Sequence, residues 1–374
     1  MYICREVLQD PMKVLFVVSG IGYGDAIREH VNVVALKKKF PQAHVMVAGY
    51  DNSYHYFHDK YPTVRINGYK LIGTSLRVSA VRFGLRNLFL PAFWVLGTLK
   101  VRLRTFNFIP DIIVSDFEPV GISLARVLFK KCVVVFGYDP LLYKAYAKKH
   151  KISYKMKIEA AYFEKLYDQA DLVVIPTFLR PQERHLGYNY IDPVLRVHPN
   201  DLPSENVLMK KFHLKRKPVL VMLGGSDFGT TLAKHINAIA PSIDEDFIIF
   251  GGNLDIHCAK NVRYFHYSAD FLKYLKICKG VITLAGHNTL SESLVYKKPV
   301  LCFPIQDHIE QVLNAYALED MIMVSHDSSY KHVQKVLPEF LKNISHIEKK
   351  VAGLNVKGNG AEQVVRFIDL ALKK

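Results

Sequence analysis

The amino-acid sequence predicts an α/β protein of two domains, each a doubly wound parallel sheet, that face each other across a cleft. Length is the first observation, because 374 residues are many for one domain and sufficient for two. Short apolar runs also alternate with segments of helical character, which is typical of a parallel sheet with helices on both faces. Finally, a polar segment with prolines and charges interrupts this alternation at residues 195–217.

The apolar runs indicate the strands of both domains. Before the polar segment they lie at 13–18, 44–48, 111–115, 132–136 and 171–175. After it they lie at 219–223, 247–250, 262–265, 281–284, 300–303 and 322–324. The segment 360–373 is amphipathic and predicts a further helix. We therefore expect an N-terminal domain over residues 12–197, a C-terminal domain over 198–357, and a helix over 358–374 that packs back on the fold.

Composition favours a cytoplasmic protein without a structural metal. Half of the residues are hydrophobic, so two cores can be buried. The five cysteines are odd in number and scattered, which favours free buried thiols in a reducing compartment. Neither a Cys-x-x-Cys pair nor a His/Cys cluster suggests zinc. Residues 1–11 lack the apolar core of a secretory signal, and we expect them to form a short tail.

The formal net charge of +16 is concentrated in two stretches. Residues 60–110 contain nine Lys or Arg and no acid, and residues 141–158 contain six Lys and no acid. Such single-sign stretches indicate nucleic acid, an anionic membrane surface or an acidic substrate as the partner. Neither stretch contains a nucleic-acid-binding motif, so we expect no nucleic acid.

Inside the first stretch, the apolar segment 88–99 lies between basic residues. It is too short to span a bilayer, which needs about 20 apolar residues. Two interpretations remain open. The segment lies in the interface of an anionic membrane, which would make the protein peripheral on the inner face of the cell membrane, or it is a buried core helix whose basic ends reach solvent.

Two glycine-containing loops follow predicted strands and precede predicted helices. The first is 19–26, with Gly24 and Asp25, and the second is 223–229, with Gly225, Ser226 and Asp227. Glycines at such turns let the backbone approach a ligand and expose N–H groups at a helix N-terminus. The first loop matches neither the P-loop nor the dinucleotide-binding spacing. Both aspartates have a simpler alternative role as helix N-caps.

Residues that a packed core would not require gather after the predicted strands 281–284 and 300–303. They are Gly286, His287, Asn288, Thr289, Glu292, Glu310, Gln311 and Asn314. Ligands of a doubly wound sheet bind outside the carboxyl ends of its strands, so these residues should face one crevice. Amides and carboxylates that converge there suit a sugar, which needs many oriented hydrogen bonds. Glu292 has two open roles, as the acceptor of both ribose hydroxyls or as the partner of Thr289 in a capping box.

Asp116 and Glu118 follow the predicted strand 111–115, and both would reach the cleft if the chain is extended there. The spacing also resembles a metal-chelating Asp-x-Glu pair, yet no phosphate-side partner accompanies it. We expect contact with an acceptor or a structural role, and no metal.

Together these residues resemble a known family. The segments that carry the likeness are Ala285-Gly286-His287-Asn288-Thr289, Ser291-Glu292-Ser293-Leu294, Lys298-Pro299, Pro304 and Glu310-Gln311-x-x-Asn314-Ala315. They resemble the donor-binding signature of GT-B glycosyltransferases, and of glycosyltransferase family 28 in particular, which includes the N-acetylglucosaminyltransferase of peptidoglycan synthesis. With both glycine loops in their expected places, the resemblance covers almost the whole chain and implies two Rossmann-like domains.

The resemblance also implies which residues bind the donor. They are Gly24, Gly225, Ser226, Gly286, His287, Asn288, Thr289, Glu292, Glu310, Gln311 and Asn314. The glycine loops and His287 would lie near the diphosphate, Glu292 would hold the ribose, and the three residues from 310 to 314 would address the sugar. The family uses no divalent metal for its chemistry, because helix N-termini and loop N–H groups stabilise the leaving diphosphate.

The chain departs from the family at the catalytic base. Many relatives carry His after the first glycine pair, where this chain has Asp25. Either Asp25 deprotonates the acceptor hydroxyl, or Asp116 or Glu118 has taken over that role. A carboxylate can do this work, particularly where a closed cleft raises its pKa.

The function that the resemblance implies is an inverting, metal-independent transfer of a sugar from a nucleotide sugar, a UDP sugar, to an acceptor hydroxyl. The acceptor would be a glycan or a lipid-linked molecule. The nucleotide sugar is a co-substrate, and no cofactor is expected. An alternative with the same architecture is a nucleotide-sugar 2-epimerase, which would change the sugar without any acceptor.

Overall fold

The computed structural model describes residues 11–373 apart from 72, 75, 79, 180–186, 225–226, 252–253 and 267. The strands are, in chain order, β1 Lys13–Val18, β2 His44–Gly49, β3 Thr63–Arg65, β4 Gly73–Thr74, β5 Arg77–Val78, β6 Ile112–Asp116, β7 Lys131–Val135, β8 Leu172–Pro176, β9 Tyr188–Ile191, β10 Val219–Met222, β11 Phe247–Phe250, β12 Val262–Phe265, β13 Gly280–Leu284, β14 Val300–Phe303 and β15 Met323–Val324. The helices are α1 Tyr23–Lys39, α2 Asp51–Phe57, α3 Ala80–Asn87, α4 Leu90–Arg104, α5 Pro119–Leu128, α6 Pro140–Lys149, α7 Tyr154–Tyr167, α8 Glu205–Lys211, α9 Thr230–Ile239, α10 Phe271–Ile277, α11 His287–Val295, α12 Ile309–Leu318, α13 Tyr330–Ala352 and α14 Gly360–Leu372.

Two parallel sheets form the framework of the molecule. The first has the strand order β3-β2-β1-β6-β7-β8-β9, and the second has the order β12-β11-β10-β13-β14-β15. Neighbouring strands in both sheets pair in parallel. The predicted α/β class with two doubly wound sheets is therefore confirmed. The edge strands β3 and β9 were not predicted, because they are short and polar residues interrupt them, so that neither forms an apolar run.

The strand order reverses at two places, and these define the cleft. In the first sheet the chain runs outward from β1 to β3 and then returns to β6 on the other side of β1. In the second sheet it does the same around β10, with β13 on the far side. Ligands of open α/β sheets bind outside the carboxyl ends of strands at such reversals. The ends of β1, β6 and β13 therefore mark the region to examine for function.

Two helices bring the C-terminal part of the chain onto the first sheet. Val364 and Ile368 of α14 share a core cluster with Phe16 of β1. Ile309 and Leu313 of α12 lie in the other core cluster of the first sheet. Apolar burial thus holds the two halves together. Domain boundaries after residues 197 and 357 remain our proposal.

The segment 88–99 is not a buried core helix. It covers the connection after α3 and most of α4, and its apolar side chains at Leu88, Phe89, Val95, Leu96 and Leu99 are exposed. The buried residues of α4 are Leu90, Gly97, Thr98 and Val101. Within the described part of the chain, no helix is long and apolar enough to cross a bilayer.

Candidate active site

The loop after β1 runs close to the loop after β2. A Cβ on Gly20 would lie 1.8 Å from the carbonyl oxygen of Tyr50, so only glycine fits at this position. The N-cap of α1 is Gly22, which leaves Asp25 inside the first helical turn. The alternative role of Asp25 as an N-cap is therefore wrong. Its side chain is 22% exposed and reaches the cleft.

Asp25 belongs to a buried cluster of charges around Arg28. Arg28 donates from Nη2 to Oδ1 of Asp25 at 2.9 Å and to both carboxylate oxygens of Asp116 at 2.6 and 2.8 Å. Glu29 also faces this guanidinium, with Oε1 3.9 Å from Nε. Burial raises the pKa values of Asp25, Glu29 and Asp116, and Arg28 opposes the rise in each case. The sequence reasoning missed Arg28, although its i+3 spacing from Asp25 is that of a helical ion pair.

Asp116 and Glu118 do not reach the cleft, contrary to the expectation of an extended chain. Phe117 between them has φ of 51°, so the chain turns at this point. Both side chains are buried, and Asp116 is committed to Arg28. Burial raises the pKa of Glu118 to about 8, which keeps its carboxyl group neutral at pH 7. Of the three candidate bases, only Asp25 faces solvent.

The start of α11 lies against the first sheet. His287 is 4% exposed, its Nε2 lies 3.2 Å from the carbonyl oxygen of Pro176, and its ring stacks on Phe178 at 4.5 Å between centroids. Burial, followed by the charge of Arg28, lowers the pKa of His287 to about 3. The imidazole is thus neutral, and it takes part in the contact between the two halves of the molecule. Its neighbour Asn288 donates from Nδ2 to the carbonyl oxygen of Gly24 at 2.7 Å.

Glu292 does not take part in capping α11, and its carboxylate is hydrogen-bonded to another side chain. The N-cap of α11 is Gly286, so Thr289 lies within the first turn and the capping box with Glu292 does not form. Instead, Arg196 donates to both carboxylate oxygens of Glu292, at 2.6 and 2.8 Å. Arg196 was not predicted, because it lies far away in sequence. The ribose role of Glu292 stays a prediction.

Of the three residues predicted to bind the sugar from α12, two bond to the backbone of neighbouring loops and one faces the cleft. Asn314 donates from Nδ2 to the carbonyl oxygen of Ala285 at 2.9 Å, and Gln311 accepts at Oε1 from the N–H of Ile305 at 3.1 Å. Both side chains therefore fix the loops that follow β13 and β14.

Glu310, in contrast, faces the first sheet. A Cβ on Gly137 would lie 3.9 Å from Oε1 of Glu310 and 3.6 Å from Cδ2 of His287. Burial, followed by the charge of Asp25, raises the pKa of Glu310 to about 7. Asp25 and Glu310 thus approach one another from opposite sides of the cleft.

Part of the predicted donor site is not described. Gly225 and Ser226 lie outside the described residues. The adjoining Gly224 has φ of 72°, a conformation that favours glycine. The N-cap of α9 is Gly229 rather than Asp227. Across the described ranges, no group of three or more His, Cys, Asp or Glu is arranged to hold a metal ion.

Comparison with known proteins identifies the family to which the chain belongs. The model of glycosyl transferase family 1 matches residues 12–345. The chain belongs to this family. Its resemblance to GT-B glycosyltransferases is thereby confirmed, and the matched range includes both sheets and the cleft.

Relatives of this glycosyltransferase carry names consistent with the family. An uncharacterised glycosyltransferase of Methanosarcina acetivorans is 24% identical over 246 residues, which cover 60% of this chain and 62% of that protein. The chain therefore aligns with less than two thirds of that relative. UDP-N-acetylglucosamine--N-acetylmuramyl-(pentapeptide) pyrophosphoryl-undecaprenol N-acetylglucosamine transferase 2 of Bacillus cereus is 23% identical over 300 residues, 76% of this chain and 80% of that one.

Solved structures share the GT-B fold with this protein. The glycosyltransferase SnogD from Streptomyces nogalater has a TM-score of 0.61 at 15% identity, and the comparison covers 96% of this chain and 100% of SnogD. The spinosyn rhamnosyltransferase SpnG complexed with thymidine diphosphate has a TM-score of 0.65 at 14% identity, with coverage of 96% and 100%. None of these relatives is named an epimerase, and the epimerase alternative is not supported.

Proposed function

We propose that this protein is an inverting, metal-independent glycosyltransferase that moves a sugar from a UDP sugar to a hydroxyl group of a lipid-linked acceptor. The observation that carries the proposal is the approach of Asp25 and Glu310 from opposite halves of the cleft. They are close enough for the charge of Asp25 to raise the pKa of Glu310. Two carboxyl groups that face one cleft from different elements suit a base for the acceptor and a ligand for the sugar.

Asp25 is the proposed catalytic base. Arg28 contacts its carboxyl group and opposes the rise of its pKa on burial, and the side chain is partly exposed, so the carboxylate can accept the proton of an acceptor hydroxyl. The acceptor oxygen then forms a bond to the anomeric carbon as the bond to the diphosphate breaks. One displacement from the opposite face inverts the configuration of that carbon.

The first turn of α11 is the proposed site of the leaving diphosphate. Gly286 has no side chain that could cap this helix, so the N–H groups in the first turn of α11 can donate to an anion. Charge that develops on the diphosphate is stabilised there by fixed dipoles. Glu310, with a pKa of about 7, can donate or accept a hydrogen bond and is the proposed ligand of the sugar hydroxyls.

The name of the Bacillus cereus relative supports UDP as the nucleotide. The SpnG structure holds thymidine diphosphate, which makes a second nucleotide worth testing. Thermal shift with UDP-N-acetylglucosamine, UDP-glucose, a TDP sugar and a GDP sugar distinguishes them, because a ligand of the native state raises the unfolding midpoint. We expect the midpoint to rise with at least one UDP sugar and to stay unchanged with the TDP sugar and the GDP sugar. A midpoint that no nucleotide sugar raises would contradict the proposed function.

The exposed face of α3 and α4 is the proposed attachment to an anionic membrane, where a lipid-linked acceptor resides. Leu85, Leu88, Leu96 and Leu103 are exposed there, the last to 77%. Arg82, Arg86, Lys100, Arg102 and Arg104 surround them in the sequence. Apolar side chains framed by basic ones bind the headgroup region through burial and electrostatic attraction together.

A further inference from the structure

Arg28 connects the proposed base to the interior of the first sheet. It lies on α1 one turn after Asp25 and is 3% exposed. One nitrogen, Nη2, donates both to Asp25 and to the two oxygens of Asp116. Asp116 is the last residue of β6, which pairs with β1, so its position is fixed by the sheet. The carboxylate of Asp25 is therefore tied to a rigid element through a single guanidinium.

The carboxyl groups around Arg28 outnumber its single positive charge. Asp25 and Glu29 on α1 and Asp116 on β6 surround one guanidinium, while His287 of α11 and Glu310 of α12 face it from the other half. Full ionisation of the first three carboxyl groups would leave two uncompensated negative charges in a buried place, which is costly. Burial accordingly raises the pKa values of Asp25, Glu29 and Asp116, and the charge of Arg28 opposes the rise in all three.

We propose that Arg28 is a positioning residue, which orients the carboxylate of Asp25 toward the cleft while Asp116 holds the guanidinium in place. This inference rests on the proposed function, because the orientation matters for catalysis only if Asp25 is the base. Arginine suits the task since its delocalised guanidinium stays charged when buried and reaches both carboxylates through Nη2. A lysine ammonium is shorter in reach and loses its charge more readily when buried.

The test compares Arg28→Lys with the wild type in two measurements. The first is the pKa of Asp25, followed by NMR on protein labelled with ¹³C at the aspartate carboxyl carbons. The second is the pH profile of kcat/KM for UDP release from UDP-N-acetylglucosamine, with water as acceptor. We expect the pKa of Asp25 to rise by about 1 unit. The base must be ionised to act, so the acidic limb of the profile should move to higher pH by the same amount, with KM for the donor unchanged.

Two further variants keep the interpretation clear. Arg28→Gln should give a larger shift in the same direction if circular dichroism shows that it folds; if it does not fold, Arg28→Lys still decides. Arg216→Lys is the matched control, because Arg216 also bonds two aspartates, Asp244 and Asp246, on the far half of the molecule. It should leave both measurements unchanged.

Several outcomes would overturn the proposal. An unchanged pKa and acidic limb in Arg28→Lys would show that Arg28 is only structural. A rise in the donor KM without movement of the limb would place Arg28 on the donor instead. If no nucleotide sugar raises the unfolding midpoint and the wild type releases no UDP, the proposed function fails, and the NMR titration still tests the effect of Arg28 on Asp25. If the pKa moves and the limb does not, Asp25 is not the base and the positioning role falls with it.

Discussion

Arg196 donates two hydrogen bonds to Glu292, from Nε at 2.6 Å and from Nη2 at 2.8 Å. Arg196 lies between β9 and α8, in the connection between the two sheets, and Glu292 lies on α11. The carboxylate expected to hold a ribose is thus also linked to the connection between the halves. Each oxygen keeps a second lone pair, so a ribose and Arg196 can share the same carboxylate.

This relationship predicts different consequences for its two partners. Glu292→Ala should lower donor affinity at least about tenfold, because the ribose loses its acceptor and Arg196 loses two hydrogen bonds. Arg196→Met should destabilise the fold by about 1–3 kcal/mol and keep most of the donor affinity, since Glu292 remains. Calorimetry with UDP-N-acetylglucosamine and thermal unfolding measure the two effects. Equal affinity losses in both variants would mean that Glu292 acts only through Arg196.

A second prediction concerns the neutral buried carboxyl of Glu118. Its pKa is raised from 4.5 to about 8, so the folded state holds a proton between these pH values that the unfolded state has lost. Its contribution to stability is therefore present below pH 4.5 and is lost as the pH rises to 8, by up to about 1.4 kcal/mol per pH unit. Glu118→Gln should match the wild type at pH 5 and exceed it at pH 8 in urea unfolding.

The exposed Glu348 provides the control for this experiment. Glu348→Gln should follow the wild type at both pH values. A Glu118→Gln variant that is less stable than the wild type at pH 8 would show that the carboxylate is ionised and paired in the folded protein.

A third prediction tests the membrane face. The wild type should sediment with vesicles that contain phosphatidylglycerol, less so as salt is raised, and not with pure phosphatidylcholine vesicles. The double variant Leu96→Glu and Leu103→Glu should lose most of this binding, because it places acids among the basic residues. Val207→Glu, at an exposed valine on α8, should keep it. Equal sedimentation of both variants would rule out the proposed face.

The sequence predicted the framework well and the site only in part. Apolar runs such as 13–18 and 281–284 indicate buried strands reliably, because a strand that is covered on both faces consists almost entirely of apolar residues. The ends of the strands at 13–18 and 300–303 then place Asp25 and Glu310 at one cleft. Which polar groups bond one another cannot be read from the same pattern.

Long-range pairings explain the misses. Arg196 meets Glu292 across 96 residues, and Arg28 meets Asp116 across 88. Neither separation leaves a periodic signal. Asp116 and Glu118 do not reach the cleft because Phe117 adopts a left-handed conformation, which a phenylalanine in the sequence does not indicate.

The most direct test of the account is the turnover of Asp25→Asn. Loss of the base should lower kcat about 100- to 10,000-fold and leave the affinity for UDP-N-acetylglucosamine by calorimetry unchanged. Asp59→Asn, at an aspartate that is 80% exposed, is the matched control and should retain wild-type turnover. Near-wild-type kcat in Asp25→Asn would contradict the central claim, since it would show that the chemistry does not depend on Asp25.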